Sequence, residues 1–445
     1  MRNTKFSRRF SIGHWDFFSA GDEHGFSHFF ENASPRFKEE IDDIYFGRVF
    51  HYSHNGQNHR YGEVMGREAN NEQVSRLIKI QERYGVAASL TLNQSDPPPE
   101  ILGTKAIREA FLAFVRTFYD AGIRRCTLSN VHLMASGILQ ETFPEMQWKN
   151  TVNHLVRSAQ EVVDYAALGY HTILVDRSLN RNTDELVRIK KVAERLGVKI
   201  SLLVTESCMP ACPFKLEHDL YQAEFQNGRA PITNKAMTEN YWSAFGDLSC
   251  NRWRKCPPLS TREQNPVEKM PRIGTGIVAA TKETLDLYLD NTDIFKFSGR
   301  MTRVKSKVDV ENDRFVWRST LQDEKFTEKK GTQAQVYECF ADIYEDDAAP
   351  FHLWVPDACS PDGLFRKSPE NLRWLDYEAQ RQQTVWAGKK GRALDITLRT
   401  CQNQCYDCHA CERGFGYKDF DTLLSIKQPD GWIKQVDTLQ GSHSS

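Results

Sequence analysis

The stretch HTILVDRSLNRNTDELVRIKKVAERLGVKISLLVT, residues 171–205, decides the fold class. An apolar run from His171 to Asp176 is followed by Thr183 to Leu196, whose apolar residues recur at the three-to-four spacing of an amphipathic helix. A second apolar run, Lys199 to Thr205, comes next. Gly197 stands between helix and strand and supplies the left-handed residue on which helices stop. Strand, helix and strand at these lengths make a βα unit with parallel strands.

Working outward, the same alternation runs from residue 10 to 300. Candidate strands are Phe10 to Trp15, Asp43 to Gly47, Val86 to Asn93, Arg125 to Asn130, Gln147 to Val152, His171 to Asp176, Lys199 to Thr205 and Asp293 to Phe297. Between them, Asn71 to Tyr84 carries Val74, Leu77 and Ile78 on one helical face, and Lys105 to Ala121 repeats Ala, Phe and Val at helical spacing. Val156 to Leu168 follows the same rule and stops at Gly169. Eight strands predict a TIM-like (β/α)8 barrel within the α/β class.

The predicted division is a barrel over 1–303, an appended C-terminal region over 304–425 and a flexible tail over 426–445. The barrel carries an insertion at 207–280, and a connection of that length usually has a function. Past Arg300 the period breaks down. Gln333 to Tyr344 and Pro369 to Trp386 are predicted helical, and Leu394 to Leu398 a strand.

The chain's 58 Lys and Arg residues balance 59 Asp and Glu, so no global field gathers nucleic acid or anionic lipid. The basic N-terminus lacks the apolar run of a signal peptide, and no stretch reaches transmembrane length. A cytoplasmic protein is expected. In that reducing compartment, eleven cysteines, an odd number, point to metal or redox chemistry before disulfides.

Eight of those thiols fall into two groups: Cys208, Cys212, Cys250 and Cys256, then Cys401, Cys405, Cys408 and Cys411. Four thiolates match the needs of zinc or of an iron-sulfur cluster. The second set lies within eleven residues and suits a 4Fe-4S cluster or zinc equally. Its first three members also spell the Cx3Cx2C motif of radical S-adenosylmethionine enzymes, although that motif normally follows the first barrel strand. Cys126, Cys339 and Cys359 read as core or incidental thiols.

The segment Thr205-Glu-Ser-Cys-Met-Pro-Ala-Cys-Pro-Phe-Lys-Leu-Glu-His218 resembles the Asn-Glu-x-Cys-x3-Cys-Pro-x-Arg-x2-His pattern of peptidase family U32, the collagenase-like family, with Lys215 in place of its Arg. Asn153 to Asn180, where an Ala-Leu-Gly turn precedes an apolar strand ending in Arg177, is similar to a second passage of that family. Phe295-Lys-Phe-Ser-Gly-Arg300 is similar to its Phe-Lys-Ile-x-Gly-Arg sequence. The resemblance covers residues 10 to 303. It implies a barrel bearing a 4Fe-4S cluster on four cysteines, and oxygen-independent hydroxylation with prephenate as hydroxyl donor; Cys208 and Cys212 stand in the matching motif, and Cys250 and Cys256 are assigned here as the other two ligands.

Reactive residues of such a barrel project from the C-terminal ends of the strands. Asn93, Asn130, Asn153, Arg177, Glu206 and Arg300 are the polar groups predicted there. Arg177 and Arg300 either fork onto the carboxylates of a small anionic ligand or pair with acids such as Asp176 and Glu206 in a structural network. His218 is expected to orient the cluster loop or a ligand. His51, His54 and His59 read as a solvated loop that reaches substrate more readily than it binds metal. Gly274-x-Gly276 lacks the context of a dinucleotide site.

The leading expectation is an iron-sulfur oxidoreductase or hydroxylase acting on a small-molecule or peptide-linked substrate, with Arg177, Arg300, Glu206 and His218 at its centre. Its partners would be an electron carrier and a homologous subunit, with neither membrane nor nucleic acid. Two alternatives stand beside it. One is a U32-type peptidase, although no Ser-His-Asp, His-Glu-x2-His or Cys-His constellation is legible. The other is a non-catalytic metal-binding subunit of a heterodimer.

Overall fold

The structure, a computed structural model, describes residues 8–14, 35–64, 68–203, 282–296, 305–309, 314–317 and 396–401. Its centre is a closed barrel of parallel strands: β1 (Phe10–Gly13), β2 (Ile41–Gly47), β5 (Ala87–Leu92), β6 (Arg125–Leu128), β7 (Gln147–Lys149), β8 (Thr172–Leu174), β9 (Lys199–Leu203) and β10 (Ile294–Lys296). Seven of these lie within predicted segments, and β2 begins two residues before its own, Asp43 to Gly47. Chain order is kept around the barrel, and β1 closes it by pairing with β2 on one side and β10 on the other. The TIM-like architecture is therefore present.

Alternation along the strands sorts side chains onto two faces. Ile44 and Phe46 of β2, Leu90 and Leu92 of β5, Leu128 of β6 and Ile200 and Leu202 of β9 belong to the hydrophobic core cluster. Onto it the helix Asn71–Tyr84 lays Val74, Leu77 and Ile80, with Ile78 only partly buried, and Lys105–Asp120 lays Ile107, Phe111, Val115 and Phe118. Thr183–Leu196 adds Leu186, Ile189 and Ala193. Each fully buried aliphatic or aromatic side chain contributes about 1.5–3 kcal/mol, so this shell is the main source of cohesion.

Closure is reinforced at the N-terminal ends of the strands. The Arg8 guanidinium donates to the carbonyls of Ile41 and Tyr84, and that of Arg9 to Leu289 and Thr292. Asp293 accepts from Lys190 Nζ at 2.6 Å and from the backbone N–H of Ile200 at 2.8 Å, which ties β10 to β9 and to the outer helix.

Several elements end earlier than predicted. β7 stops at Lys149 because the Asn150 side chain takes over its ladder: Asn150 Oδ1 accepts from Leu174 N at 2.5 Å and Nδ2 donates to Leu174 O at 3.2 Å. A 3-10 turn, Val152–His154, follows. The helix expected from Val156 begins at Ala159, where Ser158 and Glu161 form a reciprocal capping box.

Two expectations are corrected. The histidine-rich segment is not a loop but an antiparallel hairpin, β3 (Val49–His54) with β4 (Gln57–Gly62). Asn55 and Gly56 both take positive φ, the conformation a two-residue hairpin turn requires. Residues 396–398, read as the end of the strand Leu394 to Leu398, lie in a helical turn over 396–399, with Leu398 buried and Ile396 exposed. Two apolar residues separated by one polar residue do not distinguish the two periods over so short a run.

Beyond the barrel, β11 (Lys305–Asp309) and β12 (Arg314–Trp317) pair antiparallel, a hairpin without a counterpart in the sequence reading. The predicted helices Gln333 to Tyr344 and Pro369 to Trp386 lie outside the described residues, as do Gly274 and Gly276. No described helix is long and apolar enough to cross a membrane.

Both predicted glycine stops adopt the left-handed conformation, Gly169 at φ +92° and Gly197 at φ +68°. A Cβ at Gly197 meets nothing within 4 Å, whereas one at Gly169 lands 2.5 Å from the Gln140 amide. Gly197→Ala is therefore expected to lose only the backbone term, about 1–2 kcal/mol, and Gly169→Ala more, both read from urea unfolding midpoints.

Candidate active site at the barrel mouth

Register partners share a face, so one inward-facing set can be followed around the barrel. Asp43, Tyr45 and Gly47 of β2 pair with Ala87, Ser89 and Thr91 of β5, and Thr91 with Thr127 of β6, which pairs in turn with Lys149 of β7. Lys149 Nζ donates to Asp43 Oδ2 across the lumen, joining two strands that are not neighbours. Lys296 Nζ of β10 lies 4.4 Å from the centre of the Tyr45 ring. Below this pair, Arg125 Nη1 bonds Asp42 Oδ2 at 2.6 Å.

This lumen differs from the usual filling of such barrels by bulky branched side chains. Asp43 is wholly buried. Burial alone would raise its pKa, but the ammonium of Lys149, the guanidinium of Arg125 and a hydrogen bond from Ser11 together hold it well below the ordinary carboxylate range. A permanent carboxylate therefore sits inside the barrel.

At the C-terminal rim the predicted asparagines have structural partners. Asn93 Oδ1 accepts from Val64 N at 3.0 Å, Asn130 caps the helix Val131–Ala135 through Leu133 N, and Asn153 Nδ2 donates to Ser95 Oγ at 3.1 Å. Arg177 is buried in a 3-10 turn, Arg177–Arg181, directly after β8. Its neighbour Asp176 accepts from Ser178 N at 2.7 Å and pairs with Arg157 at 3.3 Å.

The hairpin forms a roof over this rim. Tyr61 is buried, with its hydroxyl 2.9 Å from Ser129 Oγ beyond β6 and its O–H also directed to Leu92 O of β5. Gln94 N donates to Gly62 O at 2.8 Å. On the roof, Tyr52 stacks on His59, and Glu100 accepts from Tyr52 Oη at 2.9 Å and lies 4.0 Å from His59 Nδ1. His51 faces Glu68 at 3.7 Å. His154, wedged among Tyr165 and Tyr170, has its pKa lowered by burial and bonds Ser129 O through Nε2.

The segment 396–401 reaches the same rim. Thr400 bridges Asn182 in antiparallel fashion, Thr183 Oγ1 donates to Arg399 O at 3.2 Å, and Cys401 N donates to Leu398 O at 3.3 Å. Asn180, two residues before Asn182, donates its side-chain amide to Leu203 O at the end of β9. Thr400, directly before the first cysteine of the second group, is thus tied to the loop that also holds the end of β9.

Cys208, Cys212, Cys250, Cys256, Cys405, Cys408 and Cys411 lie outside the described residues, as do Glu206, His218 and Arg300. Among the described residues no group of three or more histidine, cysteine or acidic side chains is placed to hold a metal ion. Cys126 is a core thiol, and burial raises its pKa. The luminal pair was missed by motif reading. Neither residue stands out in sequence, since Asp43 follows another acid, Asp42, and Lys149 ends the short strand Gln147–Lys149.

No protein-family model matches the chain. An uncharacterized protease of Methanocaldococcus jannaschii is 26% identical over 146 residues, which span 33% of this chain and 36% of that protein. The structure of a U32 peptidase aligns with 66% of this chain and 93% of its own, at a TM-score of 0.39 and 12% identity. The chain is thus similar to a protein named as a protease, beside the resemblance to family U32 that its motifs carry.

Removing the carboxylate from the lumen should leave the Lys149 ammonium buried without its counter-charge. Asp43→Asn is expected to cost about 3–5 kcal/mol, and Asp43→Asn with Lys149→Met to recover most of that. Because the folded pKa is depressed, this contribution is complete above the unfolded value of about 3.9 and is lost as pH falls through the lower folded value. Urea midpoints between roughly pH 5 and 2 should therefore fall less steeply with acid in the double variant.

Proposed function

We propose that this chain is a barrel enzyme of the peptidase U32 kind, acting at the C-terminal mouth on a peptide or peptide-linked substrate. The observation that carries this reading is the 146-residue similarity to a protein named as a protease. The roof supports it. The hairpin β3–β4 is a two-stranded sheet separate from the barrel, and extended peptides bind by adding to such an edge. Active groups of this architecture gather on the rim it covers.

A second reading is favoured by the position of Cys401 beside the loop after β8. In it the chain is an iron-sulfur enzyme of oxygen-independent hydroxylation or related redox chemistry, with prephenate as hydroxyl donor. Cys208, Cys212, Cys250 and Cys256 would hold a 4Fe-4S cluster, and Cys401, Cys405, Cys408 and Cys411 a second cluster or zinc, since thiolates suit both. Such a cluster supplies electron transfer when bound. Arg177 and Arg300 would hold the donor's carboxylates by forked hydrogen bonds. The electron partner and a homologous subunit belong to this reading, in the cytoplasm.

Full-length protein purified without oxygen separates the two. Digestion of casein or gelatin that persists after iron is removed is the expected result. Absence of digestion, together with stoichiometric iron and sulfide that Cys208→Ala abolishes, would overturn the peptidase reading in favour of the second. Zinc that Cys405→Ala releases would assign the metal of the second thiol group.

A further inference from the structure

The seam between β7 and β8 is built differently from the rest of the barrel. These strands share one register pair, Lys149 with Thr172, whereas β2 and β5 share five. Side chains supply the bonds that a longer ladder would carry. On the C-terminal side of that pair, the Asn150 amide bonds both backbone groups of Leu174. On the N-terminal side, His171 N donates to Trp148 O at 2.8 Å, and Trp148 N donates not to a carbonyl but to His171 Nδ1, at 3.2 Å.

Accepting from an N–H requires a lone pair on Nδ1, so the ring proton sits on Nε2 and the imidazole is neutral. A proton on Nδ1 turns that acceptor into a donor, and two N–H groups then oppose one another across the seam. Trp148 is buried, and a buried backbone donor deprived of its partner is costly. His171 itself is exposed, so protons reach it from solvent. Burial of part of the ring lowers its pKa, and accepting the Trp148 N–H favours the same neutral form. Among the described residues no carboxylate opposes that shift. The charged groups on the flanking strands are cations: Lys149, bridged to Asp43 across the lumen, and Lys199 of β9, the register partner of Thr172. The adjoining Tyr170 is a neutral phenol that donates to Leu128 O, and Glu145, on the segment before β7, is held by Arg124 at 2.9 Å.

We infer that the β7–β8 seam is an acid-released joint of the barrel, in which protonation of His171 detaches Trp148 from β8. Asn150 does not titrate, so release starts at the Trp148 end. Lys149 lies between the two, and the joint therefore governs how firmly the bridge to Asp43 is held. This is independent of which reaction the barrel mouth performs. With the folded pKa depressed, the seam is at full strength above the unfolded value of about 6.5 and weakens as pH falls through the lower folded value.

Hydrogen exchange of the full-length protein, read by mass spectrometry from about pH 8 to about pH 5 and corrected for intrinsic exchange rates, tests this at the peptide spanning 147–150. Protection there should fall at least about threefold, while that of β5 and β6 changes by less than about twofold. His171→Asn keeps an acceptor where Nδ1 stands and takes no proton, so its protection should not vary with pH. His171→Leu removes the acceptor and should show at about pH 8 the weak protection that the unsubstituted protein reaches at about pH 5. Protection independent of pH in the unsubstituted protein, an equal fall in His171→Asn, or an equal fall across β5 and β6 overturns the inference. Where a variant fails to fold, exchange of the His171 ring Cε1 proton in the unsubstituted protein decides. A titration midpoint below about 6.5 upholds the joint, and one at or above it overturns it.

Discussion

Closure of the cylinder through β1 is the constraint on which everything else depends. Four residues, Phe10 to Gly13, pair with β2 on one edge and two of them, Phe10 and Ser11, with β10 on the other, and without them the sheet has two open edges and no lumen. The adjacent arginines reinforce this by reaching carbonyls on both sides of the seam, Arg8 toward Ile41 and Arg9 toward Leu289 and Thr292. Burial lowers the pKa of Arg9, against the fields of Asp293 and Asp290, which favour its charged form. Desolvating a guanidinium is costly, and the carbonyl and carboxylate partners offset that cost.

Closing the sheet creates two chemically different compartments. The outward face is apolar and is covered by helices, as in any barrel of this type. Toward the axis, hydroxyls, glycine and a buried ion pair take the place of branched aliphatics. An ion pair inside a protein is seldom a gain in stability over well-packed apolar residues. Its retention makes functional sense where a charged group has to be held at a fixed point, and Lys149 and Asp43 fix one another across the lumen.

At the rim, much of the polar chemistry is used to build loops. Asn93, Asn130 and Asn150 each replace a missing backbone partner, which lets strands of three to six residues end cleanly in turns. The rim also gathers segments distant in sequence. Asn180 and Asn182 hold the end of β9 and Thr400 respectively, so one short turn organises both the exit toward the first thiol group and the entry to the second.

Periodicity in the chain was enough to determine the barrel. All eight strands, and helices such as Asn71–Tyr84 and Thr183–Leu196, were legible because burial of one face imposes a repeat that survives in a single sequence. Gly169 and Gly197 were legible as stops because a left-handed residue at a helix end favours the side chain it lacks. What tertiary structure decided was every relation between residues far apart: the Asp43–Lys149 bridge, the arginine staples at the seam, the hairpin roof made from a histidine-rich stretch, and the docking of Thr400 on Asn182. Local patterns record which face of an element is buried. They carry no record of which distant group it will meet, because that is set by the closing of the sheet.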